Sequence, residues 1–119
     1  YTEKIVLPTD FEEKDGMYLD IGAMTINNFS KIIKQSHTVI WAGPMGKYEE
    51  APFEKGTVAL LAPMISSTIT SIVGGGDTIA ALQSQPKLQN VSLVSLGGGA
   101  MLEFLAKEHL PATDCLLDR

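Results

Sequence analysis

Long apolar runs, paired cysteines and clusters of basic residues are all missing from this sequence of 119 residues. No apolar stretch approaches the roughly 20 residues that a membrane-spanning helix needs, which favours a soluble protein. The single cysteine, Cys115, cannot form an internal disulfide or a thiolate metal site. The net charge is -5 with scattered acids, which argues against binding nucleic acid or a membrane surface, since both need clustered Lys and Arg.

The length and the amino-terminal residues set two further expectations. A chain of 119 residues, of which 45% are hydrophobic, can form one compact domain with a real core. The residues from Tyr1 to Lys4 carry no basic region followed by an apolar run, so no targeting signal is visible and a cytoplasmic location is expected.

Short β-branched runs alternate with segments of helical apolar spacing along the chain. The runs expected to be strands are Ile5 to Leu7, Thr38 to Trp41, Ile69 to Val73 and Ser92 to Leu96. A helical segment follows each of them, so the sequence predicts four β-then-α units. This order is typical of a parallel sheet, and the expected fold is a three-layer, Rossmann-like α/β domain with helices on both faces. The polar stretches Asp10 to Gly16 and Ser84 to Asn90 are expected to be surface loops.

Three glycine-rich segments follow predicted strands, at the edge where ligands gather in parallel sheets. They are Trp41 to Gly46, which continues through Lys47 and Tyr48 to Glu49, then Gly74 to Thr78, and finally Gly97 to Ala100. Glycines between a strand and a helix leave backbone N–H groups open at the positive end of the helix, where a phosphate can approach. Two such triplets indicate a polyphosphate or a transferred phosphoryl group.

Three polar side chains in these segments have both a functional and a purely structural interpretation. Asp77 suits Mg²⁺ and Thr78 suits a phosphate oxygen, but either residue could simply cap a helix. Glu49 could accept hydrogen bonds from ribose hydroxyls, or it could be an acid at a helix entry. Spacing alone does not separate these alternatives.

The three segments, in this order, closely resemble the phosphoglycerate kinases. Trp41 to Glu49 matches the family's W-N-G-P-x-G-V-F-E, Gly74 to Thr78 its G-G-G-D-[TS], and Ser95 to Leu105 its S-T-G-G-G-A-x-L-E-[FL]-L. Three shorter pieces agree as well: Ile5 to Asp10 with I-L-L-P-x-D, Leu19 to Gly22 with L-D-I-G, and Phe53 to Thr57 with F-x-x-G-T. The resemblance covers nearly the whole chain, and three collinear motifs make it specific.

The resemblance implies phosphoryl transfer between 1,3-bisphosphoglycerate and ADP, the glycolytic reaction that interconverts them with 3-phosphoglycerate and ATP, with Mg²⁺ bound to the nucleotide. The residues implied to contact the nucleotide are Leu19, Gly43, Pro44, Met45, Tyr48, Glu49, Asp77 and Thr78, with Glu49 on the ribose and Asp77 on the metal. The residues implied to present N–H groups to the transferring phosphoryl group are Gly75, Gly76, Gly97, Gly98 and Gly99.

The sequence contains no counterpart of the family's N-terminal substrate domain or of its G-G-A-K segment. Residues 1–119 are therefore expected to be the C-terminal portion of the nucleotide-binding domain, with the rest of the enzyme as a required partner. The departures from the family pattern are Tyr18 for Gly or Ala, Ala23 for Pro, Ala42 for Asn, Lys47 for an apolar residue and Leu96 for Thr or Ser. The departures at Tyr18 and Ala42 favour one alternative, an inactive pseudoenzyme that keeps the fold. A second alternative is an interaction module whose exposed sheet edge pairs with a missing half.

Overall fold

The computed structural model describes residues 2–66 and 68–117. Its strands in this part of the chain are β1 (Phe11–Lys14), β2 (Met17–Ile21), β3 (Thr38–Ala42), β4 (Thr70–Gly74) and β5 (Leu93–Ser95). Its α-helices are α1 (Ala23–Gln35), α2 (Lys55–Met64), α3 (Gly76–Leu82), α4 (Gly98–Lys107) and α5 (Pro111–Leu117). Among these described residues, none of the helices is both long enough and apolar enough to cross a membrane.

The main sheet is parallel and has the order β3-β4-β5, which confirms the predicted α/β fold. On one face, the register partners Trp41 and Val73 pack against apolar side chains of α1, α2 and α3. The contributing helix residues are Ile26, Phe29, Ile33, Leu60, Leu61, Met64 and Leu82. This face holds the core of the domain.

Helix α4 lies on the opposite face of the same sheet. A Cβ atom on Gly74 would stand 2.5 Å from Cε of Met101 and 3.7 Å from Cα of Gly98, so α4 packs closely against β4 at this position. An apolar groove of about 370 Å³ remains between α4 and the sheet, lined by Ile72, Leu93 and Phe104 among others. Helices therefore lie on both faces of the sheet, as predicted.

The predicted strand from Ile5 to Leu7 is wrong. This segment joins no sheet in the described part of the chain, and its three apolar side chains are exposed. A strand exists only where a neighbour accepts its backbone hydrogen bonds, and β-branched composition cannot supply that neighbour. Three β-then-α units, rather than four, therefore build the parallel sheet in the described residues.

The predicted loop from Asp10 to Gly16 is wrong as well, because most of it belongs to a hairpin. Strands β1 and β2 pair antiparallel through a two-residue turn, in which Asp15 and Gly16 have φ of 53° and 76°. Positive φ at both positions is the type I′ geometry that Asp-Gly favours. The other predicted loop, Ser84 to Asn90, is largely exposed and carries a short 3-10 helix, Pro86–Asn90.

Helix α1 is fixed to the segment before the hairpin through Thr25, which is buried. Its hydroxyl accepts hydrogen bonds from the N–H groups of Thr9 (3.0 Å) and Asp10 (3.1 Å) and donates to the Asp10 carboxylate. That carboxylate also accepts from the N–H groups of Met24 (2.9 Å) and Thr25 (2.6 Å). These bonds, chiefly the one from the Thr25 hydroxyl, hold the pKa of Asp10 below its ordinary value.

Replacing Thr25 by Val keeps the side-chain shape but removes these hydroxyl bonds. We expect the free energy of unfolding to fall by about 1–3 kcal/mol, because buried partners lose their hydrogen bonds. Urea unfolding measures the change, with Thr38→Val as the matched control, since Thr38 is exposed on β3. Equal effects of the two substitutions would show that the Thr25 network does not fix α1.

Candidate active site

The three glycine-rich segments leave the sheet side by side, at the carboxyl ends of three neighbouring strands. In the strand register Ala42 pairs with Gly74, and Gly74 pairs with Ser95, so all three strands end at the same level. The second and third segments touch through their backbones, since a Cβ on Gly98 would lie 3.0 Å from Cα of Gly75. Segments distant in the sequence thus form one continuous backbone surface.

A hydrogen bond from Gly43 to Thr78 joins the first segment to the second. Gly43 has a φ of 97°, and its N–H donates to Oγ1 of Thr78 at 2.7 Å. Its carbonyl accepts a hydrogen bond of 2.6 Å from the Trp41 indole. Thr78 is completely buried, so the structure gives its hydroxyl a role in positioning Gly43. Contact of Thr78 with a phosphate stays a prediction.

Backbone N–H groups are left open where α3 and α4 begin. The first helical hydrogen bonds run from Ile79 to Gly75 and from Met101 to Gly97, so both helices leave the N–H groups of their first three residues without a helical acceptor. In the described residues no side chain caps either helix. The open groups include those of Gly76, Gly98 and Gly99.

Gly75 differs from Gly76, Gly98 and Gly99 in the use of its N–H group. Its N–H donates to the Ser95 carbonyl at 3.1 Å, so this group is already used within the protein. The role of Gly75 is conformational. Its φ of 98°, which residues other than glycine rarely adopt, turns the chain from β4 into α3.

Asp77 is an exposed acid in the first turn of α3, and it makes no capping hydrogen bond. The pKa of Tyr48 is raised by partial burial and then by the negative charges of Asp77 and Glu49. Tyr48 therefore lies within electrostatic range of both acids. Among residues 2–66 and 68–117, no three His, Cys, Asp or Glu side chains form a ready-made metal site.

The segment after Gly43 forms consecutive turns rather than entering a helix directly. Met45 donates its N–H to the buried Thr57 hydroxyl at 3.0 Å, which fixes the segment to α2. Helix α2 begins only at Lys55, with Glu54 as its N-cap. Glu49 is therefore an exposed acid in a turn, and the helix-entry explanation of this residue does not hold.

The hairpin packs beside this segment, and Asp20 is the residue that fixes it there. Asp20 is buried, and its carboxylate accepts a hydrogen bond of 2.8 Å from the N–H of Gly56 in the first turn of α2. Burial raises the pKa of Asp20. Next to it, Leu19 accepts a backbone hydrogen bond of 2.8 Å from Lys47. Sequence reasoning gave Asp20 no role, and only its place in the L-D-I-G motif could have singled it out.

An exposed ion-pair cluster joins the hairpin tip to the same segment. The Glu50 carboxylate pairs with Lys14 on β1 and, at 2.7 Å, with Lys47. Hydrogen bonds from the two lysines lower the pKa of Glu50 to about 2. Lys47, which departs from the family pattern, thus takes part in an ion pair that sequence reasoning did not predict.

The Glu50 cluster makes the hairpin attachment sensitive to acid. Folding depresses the pKa of Glu50. The ion pairs of Glu50 therefore stabilise the folded state fully above the ordinary pKa of 4.5, and this stabilisation is lost as the pH falls towards about 2. NMR titration of the Glu50 carboxyl should show this low pKa in the wild type. Lys47→Met should raise the pKa towards its ordinary value, whereas Lys87→Met, far along the chain, should leave it unchanged. A Glu50 pKa that is ordinary in the wild type would contradict the ion-pair geometry.

A comparison with models of protein families identifies the family of this chain. The family model described as phosphoglycerate kinase matches residues 2–108, nearly the whole chain. The chain belongs to the phosphoglycerate kinase family. The three glycine-rich segments, the hairpin and α4 all fall within the matched range, whereas α5 lies outside it.

Individual phosphoglycerate kinases agree with this assignment. The chain is 48% identical over 98 residues to a phosphoglycerate kinase of Solibacter usitatus (strain Ellin6076), which covers 82% of this chain and 25% of the relative. It is 43% identical over 103 residues to one from Leptospira biflexa serovar Patoc (strain Patoc 1 / Ames), covering 87% of this chain and 26% of the relative. The chain therefore spans about a quarter of the length of the curated relatives it matches.

A solved phosphoglycerate kinase structure shares the fold. The structure of phosphoglycerate kinase from Coxiella burnetii superposes with a TM-score of 0.74 at 42% identity, covering 90% of this chain and 27% of that chain. The parallel sheet and its helices are thus those of a phosphoglycerate kinase.

Proposed function

We propose that this chain is part of a phosphoglycerate kinase and supplies the phosphate-binding segments of its nucleotide site. The reaction is phosphoryl transfer between 1,3-bisphosphoglycerate and ADP, which yields 3-phosphoglycerate and ATP in glycolysis. The observation that carries the proposal is the meeting of three glycine-rich segments at one sheet edge, with open N–H groups and an exposed acid. We propose a cytoplasmic location, in keeping with a glycolytic role.

The N–H groups of Gly76, Gly97, Gly98 and Gly99 are proposed to bind the oxygens of the transferring phosphoryl group. Those of Gly76, Gly98 and Gly99 have no helical acceptor. Catalysis of phosphoryl transfer depends mostly on positioning and on stabilising the charge of the transition state. Backbone groups held by the contact between Gly75 and Gly98 need little rearrangement for this task. Gly75 is assigned a conformational role, because its N–H is used by Ser95.

The nucleoside is proposed to lie along the segment from Gly43 to Glu49. Leu19, Pro44 and Met45 line one groove there, and Glu49 projects from an exposed turn where it can accept ribose hydroxyls. Thr78 keeps Gly43 in place and so joins the nucleoside side of the site to the phosphate side.

Asp77 fits Mg²⁺ bound to the nucleotide. Mg²⁺ is usually held by one or two carboxylates together with water and substrate phosphates, so one exposed acid beside open N–H groups suits it better than a closed cage. When bound, Mg²⁺ would neutralise phosphate charge and orient the polyphosphate. Asp77 is exposed at the start of α3 and makes no capping bond that would compete with this role.

A pseudoenzyme is the second candidate, and two exposed positions favour it. Leu96 directly precedes the third glycine segment, where the family has Thr or Ser, and 83% of its surface is exposed. Ala42 ends β3 and lacks the amide that the family carries there. Both substitutions remove polar groups at the edge of the sheet that faces the proposed substrate.

The remainder of a phosphoglycerate kinase is the proposed partner of this chain. In the described residues β3 pairs only with β4, which leaves one strand edge open. An apolar groove of about 320 Å³ lies between β3 and α1, lined by Phe29, Ile32, Val39 and Ile40 among others. An open strand edge can pair with a further strand, and an exposed apolar groove can bind apolar side chains of another segment.

A chimera separates the two candidates. This chain would replace the segment that it matches in the Solibacter usitatus phosphoglycerate kinase, and turnover of 3-phosphoglycerate with ATP would be measured. We expect the chimera to be active. A folded chimera without activity that is restored by Ala42→Asn and Leu96→Thr would instead support the pseudoenzyme. A folded chimera that no such substitution restores would contradict the proposed function.

A further inference from the structure

We propose that Tyr18, supported by Phe11, is a stacking surface for the nucleobase and gives this site a preference for purines. The inference rests on the proposed function, because it takes the segment from Gly43 to Glu49 as the nucleoside site. It goes beyond the family pattern, which has Gly or Ala at the position of Tyr18 and therefore offers no ring there.

The two rings form a stacked pair on neighbouring strands of the hairpin. Their centroids are 4.6 Å apart and the ring planes differ by 21°. Phe11 is 43% exposed and Tyr18 is 69% exposed, so the pair is not buried by the fold. Phe11 restricts the orientation of Tyr18, while most of the Tyr18 surface stays open to a further partner.

The pair forms one wall of a groove whose opposite wall is the proposed nucleoside segment. The groove has a volume of about 330 Å³, at the lower end of the range for small-molecule sites. Phe11, Tyr18 and Leu19 line it from the hairpin, and Pro44, Met45 and Gly46 line it from the segment after β3. Aromatic and apolar side chains make up most of this lining, with Asp20 and Lys47 as its charged members. Such a lining suits a nucleobase better than a phosphate.

The relative position of the two walls is fixed at three places. The carbonyl of Leu19 accepts a hydrogen bond from the N–H of Lys47. The Glu50 cluster joins Lys14, at the tip of the hairpin, to the segment that contains Lys47 and Glu50. The buried Asp20 carboxylate joins the hairpin to the first turn of α2. Because these contacts hold both walls, the groove exists before a ligand enters and needs little ordering on binding.

Stacking on an aromatic ring is tolerant of sequence but grows with the area of the base, so a purine gains more than a pyrimidine. A structural alternative is that the pair only stabilises the hairpin, as cross-strand aromatic pairs do. Another alternative is that Tyr18 crowds the base and weakens binding. The three possibilities predict different responses to substitution at Tyr18.

The test measures binding of Mg·ADP, Mg·CDP and inorganic tripolyphosphate to the full-length polypeptide that carries these residues. We expect Tyr18→Ala to weaken ADP binding by roughly 5- to 30-fold, in line with the loss of one stacked base. The same substitution should weaken the binding of CDP less than that of ADP. Tripolyphosphate has no base, so it should bind to the variant as tightly as to the wild type. Tyr18→Phe should bind ADP within about 2-fold of the wild type, since it keeps the ring.

Met17→Ala is the matched control for effects on the hairpin, because Met17 is exposed on the same strand and does not line the groove. Thermal melting of each variant shows whether it is folded. If Tyr18→Ala does not fold, Tyr18→Leu takes its place with the same expected result, because leucine keeps an apolar side chain but has no ring to stack on. ADP binding that is unchanged or tighter in Tyr18→Ala overturns the inference and leaves the proposed function standing. Loss of binding in Met17→Ala equal to that in Tyr18→Ala also overturns it. Absence of binding of both ADP and tripolyphosphate to the wild type overturns the proposed function together with the inference.

Discussion

Replacing Asp77 by Asn in the active chimera is expected to lower its turnover at least about 100-fold while the free energy of unfolding changes little. The amide keeps the shape of the side chain but removes the charge that is proposed to hold Mg²⁺. Asp77 is exposed and makes no capping hydrogen bond, so its structural contribution is limited to the dipole of α3, roughly 0.3–1 kcal/mol. Steady-state kinetics at varied Mg²⁺ and urea unfolding measure the two effects separately.

Asp114→Asn is the matched control for this prediction. Asp114 is also an acid in the first turn of a short helix, α5, and it lies outside the range that matches the family. Because Asp114 pairs with His109 at 3.0 Å, it is a control for turnover and not for stability. The Asp114→Asn substitution should leave turnover unchanged. If Asp77→Asn lost stability in proportion to activity, Asp77 would be a structural acid rather than a metal ligand.

Gly98→Ala is expected to destabilise the protein and to lower turnover by roughly 10- to 100-fold, because small misplacements of catalytic groups have large effects. The new Cβ would stand 3.0 Å from Cα and 3.3 Å from N of Gly75. Both contacts are backbone atoms, which cannot rotate away, so the two glycine segments must move apart by a few tenths of an ångström. The N–H groups proposed to bind the phosphoryl group would then be displaced from one another.

Gly99→Ala is the control for stability. Both glycines lie in the first turn of α4, but a Cβ on Gly99 would meet no atom within 4 Å. Alanine there should leave the free energy of unfolding unchanged or slightly higher, since it favours a helix more than glycine does. Equal destabilisation by the two substitutions would show that the contact between the segments is unimportant.

The sequence predicted the parts of the fold that depend on local pattern. Continuous apolar runs gave β3, β4 and β5, and the glycine segments after them marked the edge where the site lies. The register that aligns Ala42, Gly74 and Ser95 follows from parallel pairing, so the meeting of the segments could also be expected.

The features that sequence reasoning missed depend on long-range contacts. The apolar run from Ile5 to Leu7 suggested a strand, but strand formation needs a neighbour that composition does not reveal. Conversely, the polar run from Phe11 to Lys14 is a strand because the Asp15-Gly16 turn brings β2 against it. This turn signal was present in the sequence and outweighs the polar composition.

The contacts that position the site are likewise long-range. Thr78 bonds to Gly43 and Asp20 bonds to Gly56, across 35 and 36 residues respectively. Residue type allowed each of these bonds but did not select the partner. The stacked ring of Tyr18 is a further case, since the sequence indicated only that the residue departs from the family.

Calorimetric titration of Mg·ADP tests most directly whether these residues form the phosphate-binding part of a phosphoglycerate kinase nucleotide site. The titration would be made on this chain alone and on the chain combined with the remaining part of the enzyme. We expect binding that appears or tightens when the remainder is added, and that is weakened by Asp77→Asn in the combined protein. Absence of binding in both titrations, with the combined protein folded, would contradict the account.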